Sequence, residues 1–142
     1  MRIREVLRRK GDTVVTVPPD ASVDDLLELM SDRGIGAVVV SADGTGVIGI
    51  VSERDVVRAL HAVGADVLNR PVSSIMTTEV RTCVPDDDLE TLARTMTEFR
   101  VRHLPVVVDG RLHGVVSIGD IVKNRIDELQ VERDQLVGYI QQ

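Results

Sequence analysis

Tryptophan is absent from these 142 residues, and Phe99 and Tyr139 are the single phenylalanine and the single tyrosine. A chain this poor in rings lacks the platforms on which unpaired bases stack, which argues against single-stranded nucleic acid as a ligand. Cysteine is nearly missing as well. Cys83 stands alone, which excludes an intramolecular disulfide framework and suits a reducing compartment. No apolar run reaches the roughly 18–20 residues that span a bilayer. The opening Met1-Arg2-Ile3-Arg4-Glu5 has no secretory h-region, so the expectation is a cytoplasmic protein with no membrane partner. P-loop, Gly-x-Gly-x-x-Gly and nucleophile–base motifs are missing. His61, His103, His113 and Cys83 fall at no metal-ligand spacing. The sequence therefore offers no positive case for catalysis or for a bound metal. Positive charge is in deficit: the net charge of −6 repels polyanions and makes nucleic acid an unexpected partner. The local cluster Arg2, Arg4, Arg8, Arg9 and Lys10 reads most simply as a solvated helix face that offsets an acidic body.

What the chain does have is aliphatic. Apolar residues make up 43% and charged residues 28%, an ordinary globular balance. Its Val, Ile and Leu suit buried sheet packed against helices. The length allows one compact domain or two small halves packed intimately.

The sequence also repeats itself. Thr16–Met30 lies over Thr82–Met96, with Pro19 on Pro85, Asp20 on Asp86, Leu26 on Leu92 and Met30 on Met96. Gly49-Ile-Val-Ser52-Glu-Arg-Asp55 lies over Gly114-Val-Val-Ser117-Ile-Gly-Asp120 at an offset one residue shorter. The missing residue belongs to a turn, Asp43-Gly44-Thr45-Gly46 against Asp109-Gly110-Arg111.

Both copies imply the same order of elements. A short strand (Val14–Val17; Val80–Val84) ends at a Pro-Asp cluster, and Ser22 or Asp86 caps the helix that follows. Val23, Leu26, Leu27 and Met30, or Leu89, Leu92, Ala93 and Met96, give that helix an apolar stripe. Gly34 supplies a C-terminal stop in the first copy. Two aliphatic runs then form a buried hairpin, Ala37–Val40 with Val47–Val51, and Leu104–Val108 with Leu112–Ile118. A second helix starts at Ser52 or Ser117, and a short helix (Ile3–Leu7; Val72–Met76) leads into each copy. The fold class is α/β (α+β): two α-β-α-β-β-α repeats, 1–69 and 70–125, expected to pack with pseudo-twofold symmetry. Gly64–Pro71 connects them. The last helix runs on as an extension over 126–142, with a heptad-like stripe of Val122, Ile126, Leu129, Arg133, Leu136 and Ile140. That stripe suits either packing on its own domain or a dimer-forming coil.

The order Val-Pro-x-Asp, helix ending in Met, hairpin, then Gly-hydrophobic-hydrophobic-Ser-x-x-Asp resembles the CBS (cystathionine-β-synthase) domain. Its duplication resembles the tandem pair called a Bateman module. Ser74-Ile-Met-Thr77 and Val101-Arg-His-Leu-Pro-Val106 strengthen the likeness, which covers residues 1–125. The resemblance implies a regulatory module. Such pairs bind AMP, ATP, NAD(H) or S-adenosylmethionine in clefts between the repeats and commonly form homodimers.

Ser52-x-x-Asp55 and Ser117-x-x-Asp120 stand where a strand turns into a helix. One carboxylate there can accept both hydroxyls of a ribose, and the serine can hold the same sugar. The same residues also make an ordinary capping box, which needs no ligand. For phosphate the second copy has Arg100, Arg102 and His103 beside Leu104-Pro105, where the first has Gly34, Gly36 and Ala37. The first copy has Arg54 where the second has Gly119. The expectation is two unequal sites. One joins Asp55 to Arg102 and His103; the other joins Asp120 to Arg54, with Gly36-Ala37 as an open wall. By family analogy the adenine slots draw on Thr16, Thr82, Gly36, Ala37 and Pro105. The function expected is a sensor that binds an adenine nucleotide and signals to an effector protein in trans, with no catalytic cofactor. The alternative is an interaction protein whose clefts are vestigial.

Overall fold

A computed structural model describes residues 1–11 and 13–141. Helices α1 (Ile3–Lys10), α2 (Val23–Arg33), α3 (Glu53–Val63), α4 (Leu89–Phe99) and α5 (Ile118–Ile140) alternate with five short strands. These are β1 (Thr16–Val17), β2 (Ala37–Val40), β3 (Gly49–Ser52), β4 (His103–Val108) and β5 (Arg111–Ser117). Strand β2 is central to one sheet, parallel to β1 through Thr16–Val39 and antiparallel to β3 from Ala37–Ser52 to Val40–Gly49. Strands β4 and β5 form a second sheet. Asp109 and Gly110 both take positive φ between them, as a two-residue hairpin turn of primed type requires.

The chain divides into two compact units that do not follow the repeat boundaries. One unit comprises residues 1–11, 82–106 and 114–141; the other comprises Thr13–Arg81 and Val107–His113. Each has its own core. In the second unit Val17, Leu26, Met30, Val38, Val40, Val51, Val56 and Val72 pack together. Their repeat counterparts Cys83, Leu92, Met96, Leu104, Val106, Val116, Ile121 and Ile3 pack together in the first. Ile3 and Val72 reveal the exchange: the lead-in segment of each repeat completes the core built by the other repeat's sequence.

Local chemistry explains the boundaries. Ser22 caps α2 by accepting from the Asp25 amide, and Gly34 ends it in the left-handed region. Arg100 holds the equivalent place after α4 with φ 54°. In both copies the next amide closes the helix, Ile35 N–H on Met30 O and Val101 N–H on Met96 O, each at 3.1 Å. A residue other than glycine pays roughly 1–2 kcal/mol for that conformation.

Several expected elements take a different form, and the α5 stripe settles on one of its two alternatives for its own unit. Asp86 is not the cap of α4. Asp88 holds the N-cap position without a side-chain capping bond, and the Leu89 amide donates instead to Met1 O. The expected strand over 80–84 reduces to a single parallel bridge, Cys83 to Val106, and the expected Val14–Val17 strand to Thr16–Val17. Of residues 80–84 only Cys83 is buried, so little holds the rest of the segment against a neighbouring strand. The Val72–Met76 lead-in is a 3₁₀ turn over Val72–Ser74, because Thr77 leaves it to pair with Ile50. Finally, Val122, Ile126, Leu129, Leu136 and Ile140 are exposed, and among the described residues of α5 only Ile121 and Asn124 are buried. The stripe does not pack on its own unit. No helix among the described residues is long and apolar enough to cross a membrane.

Candidate functional site

Each unit presents the same turn. At the end of β3, Ser52 caps α3 in a complete capping box: Asp55 Oδ2 accepts from the Ser52 amide at 2.8 Å, and Ser52 Oγ accepts from the Asp55 amide at 3.5 Å. At the end of β5, Ser117 caps α5 identically, with Asp120 Oδ2 2.9 Å from the Ser117 amide and Ser117 Oγ 3.2 Å from the Asp120 amide. The preceding loop is matched as well. Gly36 O accepts from the Glu53 amide at 3.0 Å, and Arg102 O accepts from the Ile118 amide at 2.8 Å. Asp55 and Asp120 remain partly exposed. Each therefore keeps acceptor capacity after capping its helix, and each sits at a helix N-terminus, where backbone amides favour an anionic group.

In the unit that holds α3, Gly36 and Ala37 open β2, and Ala37 is the register partner of Ser52. The structure thus brings Gly36, Ala37, Ser52 and Asp55 together, with Arg54 exposed on the first turn of α3. Thr16 lies on β1, across β2 from that turn, opposite Val39. In the other unit Arg102, His103, Ser117 and Asp120 gather at the start of α5. Pro105 is buried one step along β4, where its carbonyl takes the Cys83 amide at 2.9 Å next to Thr82.

A model of the CBS domain matches residues 3–62 and again 72–127. The chain belongs to the CBS domain family. The mitochondrial CBS domain-containing protein CBSX3 of Arabidopsis thaliana is 33% identical over 147 residues, which covers 98% of this chain and 71% of that one. A CBS-domain containing protein of Agrobacterium tumefaciens superposes with a TM-score of 0.84 at 44% identity, covering 88% of this chain and 99% of that one. The CBS domain pair of protein MJ0100, in complex with 5′-methylthioadenosine and S-adenosyl-L-methionine, gives a TM-score of 0.77. It is 21% identical over 87% of this chain and 98% of that one, so that likeness concerns the fold.

Two residues of the CBS turns escaped the sequence reading. Thr77, within Ser74-Ile-Met-Thr77, donates its hydroxyl to Asp55 Oδ1 at 3.3 Å. Lys10, assigned to a solvated basic face, places Nζ 2.7 Å from Asp120 Oδ2 and 2.7 Å from Val115 O. Much of the remaining basic cluster is also engaged. Arg2 donates to Asp86 O, Arg4 pairs with the Asp86 carboxylate, and Arg9 reaches Asn124 and Asp127. Burial pushes the Asp120 carboxyl upward, but the Lys10 bond, the Ser117 bonds and the Lys10 charge outweigh it and hold the group below its ordinary value.

Cys83, 5% exposed, donates its amide to Pro105 O within one CBS core. Burial, aided by the Asp87 charge, pushes its thiol up to about 12. The thiolate that alkylating reagents require is therefore scarce at neutral pH. Native protein at pH 8 is expected to resist iodoacetamide, whereas urea-unfolded protein reacts fully, as intact-mass spectrometry would read. Rapid native labelling would show the thiol to be accessible and ionised.

Proposed function

We propose that this tandem CBS protein is a regulatory sensor that binds an adenine nucleotide, of the AMP, ATP or NAD(H) type, through Asp55 and Asp120. Occupancy is passed to an effector protein in trans. The observation that carries this reading is the pair of matched strand-to-helix turns. Each presents a carboxylate already oriented by its own capping box and still open to solvent, which is what a ribose diol needs from an acceptor. Ser52 and Ser117 hold the same sugar in this proposal. Arg54, Arg102 and His103 are the phosphate donors, and Thr16, Thr82, Gly36, Ala37 and Pro105 line the adenine sites. That MJ0100 is seen with two adenosine compounds supports the ligand class. The exposed aliphatic stripe on α5 supports a homodimer. The protein is read as having no reaction of its own.

The complete capping boxes also favour a second reading, in which both turns are purely structural and the chain is an interaction protein. Calorimetry and thermal unfolding of nucleotide-stripped protein against AMP, ADP, ATP, NAD, NADH and S-adenosylmethionine separate the two. A true ligand at 100 times its dissociation constant stabilises the fold by about 2.7 kcal/mol. Asp55→Ala and Asp120→Ala are each expected to remove binding at their own turn and spare the other. Silence across the whole panel would refute the sensor reading.

A further inference from the structure

The two CBS turns differ in one respect that the repeat alignment hides. Among the described residues, the hydrogen-bond partners of Asp55 are uncharged: the Ser52 amide and hydroxyl on Oδ2, and the Thr77 hydroxyl on Oδ1. Thr77 also locks onto the neighbouring strand, its amide donating to Ile50 O at 2.8 Å. At the second turn the carbonyl equivalent to that of Ile50 belongs to Val115, and its donor is the Lys10 ammonium. The same ammonium bonds Asp120 Oδ2. One lysine side chain thus stands where the other copy uses the amide and hydroxyl of a threonine, and it brings a positive charge into contact with the carboxylate.

Neither backbone geometry nor packing demands a cation there, since Thr77 meets both needs without one. The consequence is electrostatic. Asp55 is held by neutral donors alone, whereas Asp120 and Lys10 form an ion pair. Both Lys10 bonds that are made to acceptors of this turn leave Asp120 Oδ1 unclaimed by Lys10. A diol can still be accepted at that oxygen, while a phosphate on the same sugar meets an ion pair with an ammonium in reach instead of a carboxylate held by neutral donors.

We propose that Lys10 determines the ligand class at Asp120, making that turn selective for phosphate-bearing adenine nucleotides over uncharged adenosine. This rests on the sensor reading above and assigns a specificity residue to one of its two sites. The Asp55 turn, with Thr77 in place of the cation, discriminates less in favour of phosphate.

The test uses full-length Asp55→Ala protein, in which Asp120 is the remaining ribose acceptor, titrated calorimetrically with AMP and with adenosine. AMP is expected to bind more tightly, and adding Lys10→Met is expected to cut the AMP-over-adenosine preference about tenfold, the order of one lost charge contact in a partly screened site. Lys10→Arg keeps the preference. Lys10 lies at the exposed end of α1, and circular dichroism with an unfolding curve confirms that each variant is folded. A preference unchanged by Lys10→Met overturns the proposal, as does equal tightening of both ligands, which would make Lys10 a competitor for the carboxylate. Asp55→Ala protein that binds neither compound also overturns it while leaving the sensor reading to Asp55. Wild-type protein that binds neither compound, nor any of the nucleotide panel, removes the sensor reading itself.

Discussion

Leu26→Ala and Leu92→Ala are each expected to destabilise the protein by about 2–5 kcal/mol. The two leucines occupy equivalent places in the repeat, and both are sealed from solvent, Leu26 at 0% and Leu92 at 2% exposure. Leu26 packs among Val17, Met30, Val38 and Val56; Leu92 packs among Cys83, Met96, Leu104 and Ile121. Truncation removes the apolar area that each leucine buries and leaves a hole that surrounding side chains fill only in part. The core around Leu92 carries larger aliphatics, Leu104 and Ile121, where the other has Val38 and Val56. Larger neighbours leave more freedom to relax into the hole, so Leu92→Ala is expected at the lower end of the range. Urea unfolding followed by circular dichroism reads both effects. Glu28→Ala, on the exposed face of α2, is the control and is expected within about 0.5 kcal/mol of wild type. A loss below about 1 kcal/mol for either core variant would contradict the packing described for that unit.

Those paired cores show what was legible in the sequence. Helix stripes, hairpins and the Ser-x-x-Asp turns are governed by residues adjacent in the chain, so Leu26, Met30, Gly34, Ser52 and Asp55 could be placed by spacing alone. Family membership and the mixed α/β class followed from their order. The exchange of Ile3 and Val72 between cores could not be read this way. A lead-in segment has the same apolar pattern whichever repeat it joins, and only the path of the chain decides. The cap of α4 escaped for a related reason: Asp86, Asp87 and Asp88 are three adjacent acids, and the choice among them depends on Met1 taking the Leu89 amide and Arg2 bridging to Asp88 from the far end of the sequence. Lys10 was lost in a run of basic residues. Its reach to Asp120 and Val115 depends on α1 joining the unit that contains α5, which is the same long-range fact.

The matched glycines, Gly49 at the head of β3 and Gly114 in the middle of β5, give the second large effect. Gly49→Ala is expected to cost about 1–3 kcal/mol, the usual range for forcing a methyl into filled space. Gly114→Ala is expected to cost clearly less. Neither glycine needs a positive φ, so the difference lies in what a Cβ meets. At Gly49 it would lie 2.7 Å from Met76 Sδ and 3.0 Å from the carbonyl oxygen of Thr77. The methionine sulfur can swing away, but the carbonyl cannot. It accepts the Ile50 amide at 3.0 Å while the Thr77 amide donates to Ile50 O, so retreat would break the bridge between them. At Gly114 the one severe contact is Leu7 Cδ2 at 2.7 Å, and the next atoms stand at 3.8 and 3.9 Å, all on the same side chain. Leu7 can relieve the contact by changing rotamer, and alanine recovers part of the cost by restricting the unfolded chain. The midpoints of urea unfolding rank the two variants directly. Because Thr77 also donates to Asp55, Gly49→Ala is further expected to weaken ligand binding at Asp55 while leaving Asp120 unchanged. Equal stability losses in the two variants would mean that the Thr77–Ile50 bridge yields as easily as a leucine side chain, and the rigidity assigned to the Asp55 turn would have to be abandoned.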